Sequence, residues 1–243
     1  MLNNPKVVIV IPARLESTRL PRKMLIKIGD LSLIQHTYLN ALKAKIASRV
    51  IVATDSPLIQ QEIKAINGDA ILTSPECKTG TDRIAETIEK LEENYDIVIN
   101  VQGDEPQMHP DTIDKVGQML IDNPEAAMST AKTKITQQDA RDINKVKVVC
   151  DKFDNALYFS RSPIPYPRNL EATQWYKHLG IYAYRREFLK TFINLPQTPL
   201  EISESLEQLR ALENGYNIKV LETPHDSLGV DMKEDLLKII QAM

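Results

Sequence analysis

KVVIVIPARLESTRLPRK, residues Lys6 to Lys23, decides the architecture. Lys6 to Ile11 is short, β-branched and apolar without alternation. That pattern marks a strand buried on both faces, as in parallel sheets. The run breaks at Pro12 into a polar loop, Ala13 to Lys23, which carries Arg14, Arg19, Arg22 and Lys23. Ligands of open α/β sheets bind beyond the carboxyl ends of the strands, so the loop stands where a ligand belongs. Guanidinium forks grip phosphate in a bidentate way, and an ammonium neutralises it as a point charge. On charge alone the loop also reads as a solvated basic segment. It contains neither GxGxxG nor GxxxxGK[ST], so the dinucleotide-binding and P-loop NTPase readings lose their main support.

The pattern repeats outward from this stretch. Ser32 can cap a helix running to about Ile46, and Val50 to Ala53 is a second strand. Pro57 suits the first turn of a helix to about Ile66, followed by a strand at Ala70 to Thr73. Thr81 can cap a helix carrying Ile84, Ile88 and Leu91. Asp96 to Val101 is a fourth strand, ending at the turn Gln102-Gly103-Asp104-Glu105-Pro106. Beyond it, Val146 to Val149, Ala156 to Ser160, Leu179 to Tyr184 and Ile218 to Glu222 read as strands. Ser203 to Asn214 and Lys233 to Ala242 read as helices, and Pro163, Pro165 and Pro167 mark an irregular excursion. The β-α-β-α order predicts an α/β fold: a mostly parallel sheet with helices on both faces and an inserted antiparallel excursion. With no internal repeat or evident linker, residues 1–243 read as a single domain.

Composition bounds the function. The 243 residues are 42% hydrophobic and 26% charged, with a net charge of -3. No broad nucleic-acid surface is expected from that balance. No apolar run approaches the roughly 20 residues of a membrane span, and the start of the chain lacks the pattern of a signal peptide. Cys77 and Cys150 form no CxxC pair, which fits two thiols in a reducing cytoplasm.

Two acids stand out. Asp104 follows a buried strand, and a carboxylate there is placed to hold Mg²⁺, a hard cation preferring oxygen ligands. Asp231, in Leu228-Gly229-Val230-Asp231, offers a second carboxylate. Taken singly, Asp104 also reads as a turn residue and Asp231 as a helix cap.

Pro12-Ala13-Arg14, Ser17-Thr18-Arg19-Leu20-Pro21 and Lys23 resemble the opening loop of the CMP-Kdo synthetases, the 3-deoxy-manno-octulosonate cytidylyltransferases. The likeness continues in order through Ala53-Thr54-Asp55, Gly80-Thr81-Asp82-Arg83 and Asn100 to Pro106. It then runs through Val146 to Val149, Ala156 to Arg161, His178 to Tyr182, Leu206 to Arg210 and Gly229-Val230-Asp231. The ordered set covers nearly the whole chain. The resemblance implies a nucleotide-diphospho-sugar transferase (Rossmann-like) fold, a single cytidylyltransferase domain and a homodimer. It implies transfer of CMP from CTP to Kdo, an acidic sugar, for lipopolysaccharide biosynthesis. Arg14, Arg19 and Lys23 would hold the phosphates, with Pro12, Ala13, Thr79, Gly80 and Thr81 at the nucleotide. Asp104 and Asp231 would ligate Mg²⁺. Arg83, Gln102, Arg161, His178, Tyr182, Glu207 and Gln208 would line the sugar side. His178 also reads as a satisfied core histidine, and Arg210 as an ion-pair partner.

The chain departs from the pattern in places. Leu15 replaces a commonly aromatic residue, and Glu16 a small one; Glu16 is expected to point outward or pair with Arg22. Arg22 stands where glycine is frequent, Asp82 where glutamate is, and Met232-Lys233 where Thr-Pro is common. Ser203 and Ser205 bracket Glu204 near the expected sugar, which leaves 8-amino-Kdo, sialic acid or another acidic sugar as rival acceptors. A non-catalytic nucleotide-binding domain is the rival of another class.

Overall fold

Strand β1 (Val7–Ala13) is buried at every one of its seven positions. In this computed structural model, which describes residues 5–17 and 19–242, the chain forms two compact units. Thr18, within the opening-loop motif, lies outside the described residues. One unit comprises the residues up to Asp114 together with those from Ser227 onward; the other comprises Lys115–Asp226.

In the first unit, β1 leads through a 3₁₀ turn (Lys23–Leu25) and the short pair β2 (Lys27–Ile28) and β3 (Leu31–Ser32) into helix α1 (Leu33–Ala41). Then come β4 (Arg49–Thr54), α2 (Pro57–Lys64), β5 (Ala70–Leu72), α3 (Gly80–Lys90) and β6 (Ile97–Asn100). The strands run parallel in the order β6-β1-β4-β5. Val8, Ile9, Val10 and Ile11 are fully buried, each contributing roughly 1.5–3 kcal/mol. Ala13 pairs with Thr54 and Thr54 with Leu72, so the strands' carboxyl ends lie level and their loops share one edge.

Helix ends differ from the sequence reading for local reasons. Helix α1 stops at Ala41, five residues early. The Lys45 and Ile46 amides instead donate to Asp114 Oδ1, at 2.7 and 2.9 Å. The cap of α3 is Thr79, not Thr81. Thr79 Oγ1 accepts from the Asp82 amide and Asp82 Oδ2 accepts from the Thr79 amide, both at 3.0 Å. This reciprocal capping box uses the short arm of Asp82.

Helix α4 (Pro110–Asp122) contains the division between the units, and β7 (Met128–Ile135) follows it. Neither has a counterpart among the predicted elements. In β7 the lysines break the apolar signal, yet Lys132 is buried, with its ammonium 3.6 Å from Asp154. The second unit continues through α5 (Gln137–Ala140), β8 (Lys147–Cys150), β9 (Ala156–Ser160), β10 (Trp175–Arg185), α6 (Arg186–Asn194), α7 (Pro199–Glu204), α8 (Leu209–Glu213) and β11 (Ile218–Glu222). Strand β11 is parallel to β7; β10 is antiparallel to both β7 and β8, and β8 to β9. This is the antiparallel excursion. Of the helix predicted over Ser203 to Asn214 only Leu209–Glu213 forms, as α8; α7 starts earlier and ends at Glu204, where Ser205 turns left-handed at φ 53°. Leu206 and Leu209 are buried as expected, and Leu212 half-buried.

Helix α9 (Lys233–Ala242) closes the first unit. Val230 and Ile239 are buried with Ile28 and Leu33, and Leu20, Leu228 and Leu236 pack around them. No helix among the described residues is long and apolar enough to cross a membrane.

Candidate functional site

The opening loop, the turn after β6, the start of α3 and the segment before α9 surround a cavity of about 350 Å³ in the first unit. The sequence dictates how each arrives. Gly103 passes so close to β1 that a Cβ there would lie 2.8 Å from the Pro12 carbonyl oxygen. Only glycine permits that approach, which brings Asp104 beside the opening loop. The Thr37 hydroxyl donates to the Gly103 carbonyl at 2.8 Å and secures the turn. The Val230 amide donates to the Asp104 carbonyl at 2.9 Å, and the Ser227 hydroxyl to Glu105 Oε2 at 2.8 Å. These bonds bring the end of the described chain to the same turn.

The two acids separated by 127 positions therefore meet. Lys23 Nζ donates to Asp104 Oδ2 at 2.5 Å and to the Val230 carbonyl at 2.9 Å, and it reaches Asp231 Oδ1 at 3.4 Å. Arg19 Nη2 lies 3.0 Å from Asp231 Oδ1. Asp235 Oδ2 accepts from the Asp231 and Met232 amides at the start of α9. Asp235 does the capping, and the Asp231 carboxylate faces the cations instead. Arg22 enters the lysine's 3₁₀ turn at φ 52°, the left-handed region that favours glycine. Glu16 points outward and is exposed.

Pro12, Ala13, Arg14, Arg19, Lys23, Thr79, Gly80, Arg83, Gln102, Asp104 and Asp231 all line this cavity. Thr81 is buried in the first turn of α3 rather than on the wall. Thr79 and Gly80 begin α3, whose free amides and dipole favour an anion at that end. Arg83 is buried, with its guanidinium paired to Asp55 Oδ2 at 2.9 Å and bonded to the Thr73 hydroxyl. Gln102 Nε2 donates to Asn100 Oδ1 at 3.2 Å. Lys78, beside the helix cap, adds a cation that the sequence analysis passes over.

Cys77 also lines the cavity, where its surroundings disfavour the thiolate. Burial, then its bond to Glu86 at 3.0 Å, pushes its thiol up to about 11. It stays protonated at neutral pH.

Arg161, His178, Tyr182, Glu207 and Gln208 belong to the second unit. His178 is buried; burial, then the charge of Lys177, takes its pKa down to about 3. Its Nε2 lies 2.9 Å from Thr130 Oγ1. That hydroxyl donates its one proton to the Ile181 carbonyl at 2.6 Å, so His178 Nε2 carries a hydrogen and donates. The ring packs against Phe159 and Tyr182, at 5.0 and 5.4 Å between centroids. Arg161 is held at both ends of its peptide. Its amide donates to Glu204 Oε2 at 2.9 Å, and its carbonyl accepts from buried Lys147 Nζ at 2.5 Å. Its Nε donates to the Glu204 carbonyl at 2.8 Å. Burial lowers the pKa of Lys147. Glu207 lies 3.6 Å from Arg210, which makes a two-pronged buried pair with Glu201 at 2.8 and 2.5 Å. Gln208 Nε2 is buried without a partner. Sequence reasoning passed over Lys147 and Glu204 as holders of Arg161; an isolated lysine in an apolar strand was the available signal.

Comparison with known proteins matches the cytidylyltransferase family over residues 8–220. The chain is 47% identical to the 3-deoxy-manno-octulosonate cytidylyltransferase of Fusobacterium nucleatum, covering 95% of this chain and 94% of that protein. It is 43% identical to the enzyme of the same name from Geobacter sulfurreducens, covering 96% and 98%. Among solved structures it resembles CMP:2-keto-3-deoxy-manno-octonic acid synthetase complexed with CTP. The TM-score is 0.94 at 44% identity, covering 98% of each chain.

Proposed function

The chain belongs to the cytidylyltransferase family, and from that premise we propose that it transfers CMP from CTP to the anomeric hydroxyl of 3-deoxy-manno-octulosonate, releasing pyrophosphate. The observation that carries this reading is the meeting of Arg14, Arg19 and Lys23 with Asp104 and Asp231 around one cavity at the carboxyl ends of parallel strands.

The chemistry asks for positioning and charge. The sugar hydroxyl attacks the α-phosphorus and gives up its proton to solvent, a new C–O–P link forms, and the bond from the α-phosphorus to the α–β bridging oxygen breaks as pyrophosphate departs. Arg14, Arg19 and Lys23 neutralise the phosphates, and the amino end of α3 presents amides toward the anion. Holding the two reactants in line removes most of the entropy cost of their meeting. Arg83, on the cavity wall, is a cation suited to the sugar carboxylate. His178, neutral at working pH, serves as a hydrogen-bonding group and not as a charge.

The acid pair suits Mg²⁺. Asp104 and Asp231 offer hard oxygen donors, and the chain itself already sets one cation, the Lys23 ammonium, between them. When bound, Mg²⁺ supplies polarisation of phosphate oxygens and lowers the pKa of a coordinated hydroxyl. Nucleotide binding without catalysis would not need two such acids.

Pyrophosphate release from CTP offered with Kdo, 8-amino-Kdo or sialic acid tests the proposal. Turnover with Kdo is expected. Release with sialic acid alone would overturn the acceptor, and CTP binding without any turnover would overturn the enzyme reading.

A further inference from the structure

We propose that Asp55 is a positioning residue serving both substrates, one carboxylate oxygen holding the phosphate-side loop and the other holding Arg83. The inference rests on the cytidylyltransferase reading above. Asp55 follows the last residue of β4, level with the end of β1. Its Oδ1 accepts the Leu15 amide at 3.2 Å, which fixes the backbone next to Arg14 on the cavity wall. Its Oδ2 accepts Arg83 Nη2 at 2.9 Å. Arg83 is 4% exposed, and a buried guanidinium without a counter-charge is strongly unfavourable. The turn that carries Asp55 is itself anchored, since the Ser56 amide donates to Thr54 Oγ1 at 3.2 Å.

Asp55 does not line the cavity, so it acts through Leu15 and Arg83. A carboxylate offers an oxygen to each side at once; an asparagine offers one oxygen and turns two donor hydrogens to the other side. Asp55→Asn can therefore satisfy only one of the two contacts, and Asp55→Ala neither. Losing a contact of this kind moves affinity by about tenfold.

The test is steady-state kinetics with CTP and Kdo varied separately on wild type, Asp55→Asn and Asp55→Ala, alongside thermal melting. The expected result is that Asn raises one KM by about tenfold and leaves the other within about threefold, while Ala raises both. Wild-type KM values in both variants would overturn the proposal. So would equal shifts of both KM values in both variants, in step with lost thermal stability. Should Asp55→Ala fail to fold, Asp55→Asn alone decides: a rise in one KM supports the role, and none, or an equal rise in both, overturns it. A wild type that does not turn over CTP with Kdo would sink the proposed function instead. Calorimetric CTP binding then reads the loop contact directly, with unchanged affinity in both variants counting against it.

Discussion

Arg22 shows how one backbone angle shapes the site. A left-handed conformation costs a non-glycine residue about 1–2 kcal/mol, and this chain bears that cost to turn Lys23 toward the acids. Arg22→Gly should raise stability by about 0.5–1 kcal/mol, after allowance for the looser unfolded chain. Urea denaturation measures it, and a destabilised variant would show that the arginine side chain contributes more than its backbone costs. At the other side of the turn, Asp104→Asn removes a charge from the acid pair while the Val230 amide still holds the Asp104 carbonyl. Turnover should fall by about a hundredfold or more, with little change in melting temperature. Near-normal turnover would remove Asp104 from the chemistry.

At the scale of the element, β10 is the informative case. Its pairing with β7 slips between Leu179 and Tyr182, and the Thr130 hydroxyl lies 3.3 and 2.6 Å from the carbonyls of Leu179 and Ile181. The bulge re-aims the strand and leaves His178 on the buried side. Burial therefore favours the neutral imidazole in the folded chain. Its folded pKa near 3 lies below the ordinary value of 6.5, so the unfolded chain binds the extra proton between those limits. Stability conferred by the neutral ring is complete above pH 6.5 and is lost progressively as pH falls toward 3. Comparing urea midpoints at pH 7 and pH 5 should show a larger loss for wild type than for His178→Gln. Equal losses would place the proton sensitivity elsewhere.

At the scale of the molecule, the two units have different characters. The first is a parallel sheet whose carboxyl edge carries Arg14, Arg19, Lys23 and Asp104, with Asp231 brought to them by the segment before α9. The second, inserted between segments of the first in sequence, is largely antiparallel and holds Arg161 and His178. It also exposes Phe153 and Leu157, at 63% and 62%. A homodimer is what the family resemblance alone implies. Light scattering at micromolar concentration should return twice the chain's mass, and a monomer's mass would refute it.

Much of this was legible in the order of residues. Short β-branched runs bounded by turn residues read as buried strands, so β1, β4 and β6 and the loops beyond them followed from the order of residues. The basic loop and the ordered motifs named the chemistry. What local reading missed depends on distant partners. Lys132 and Lys147 look like surface residues until Asp154 and the Arg161 carbonyl supply their neighbours. Thr81 gave way to Thr79 as the cap because Asp82 answers across three residues. The meeting of Asp104 with Asp231, and the double duty of Asp55, arise only when strand register and a glycine-wide approach bring remote segments within hydrogen-bond range. Covalent neighbours set which elements can form; through-space electrostatics, available only after folding, set which charges face one another.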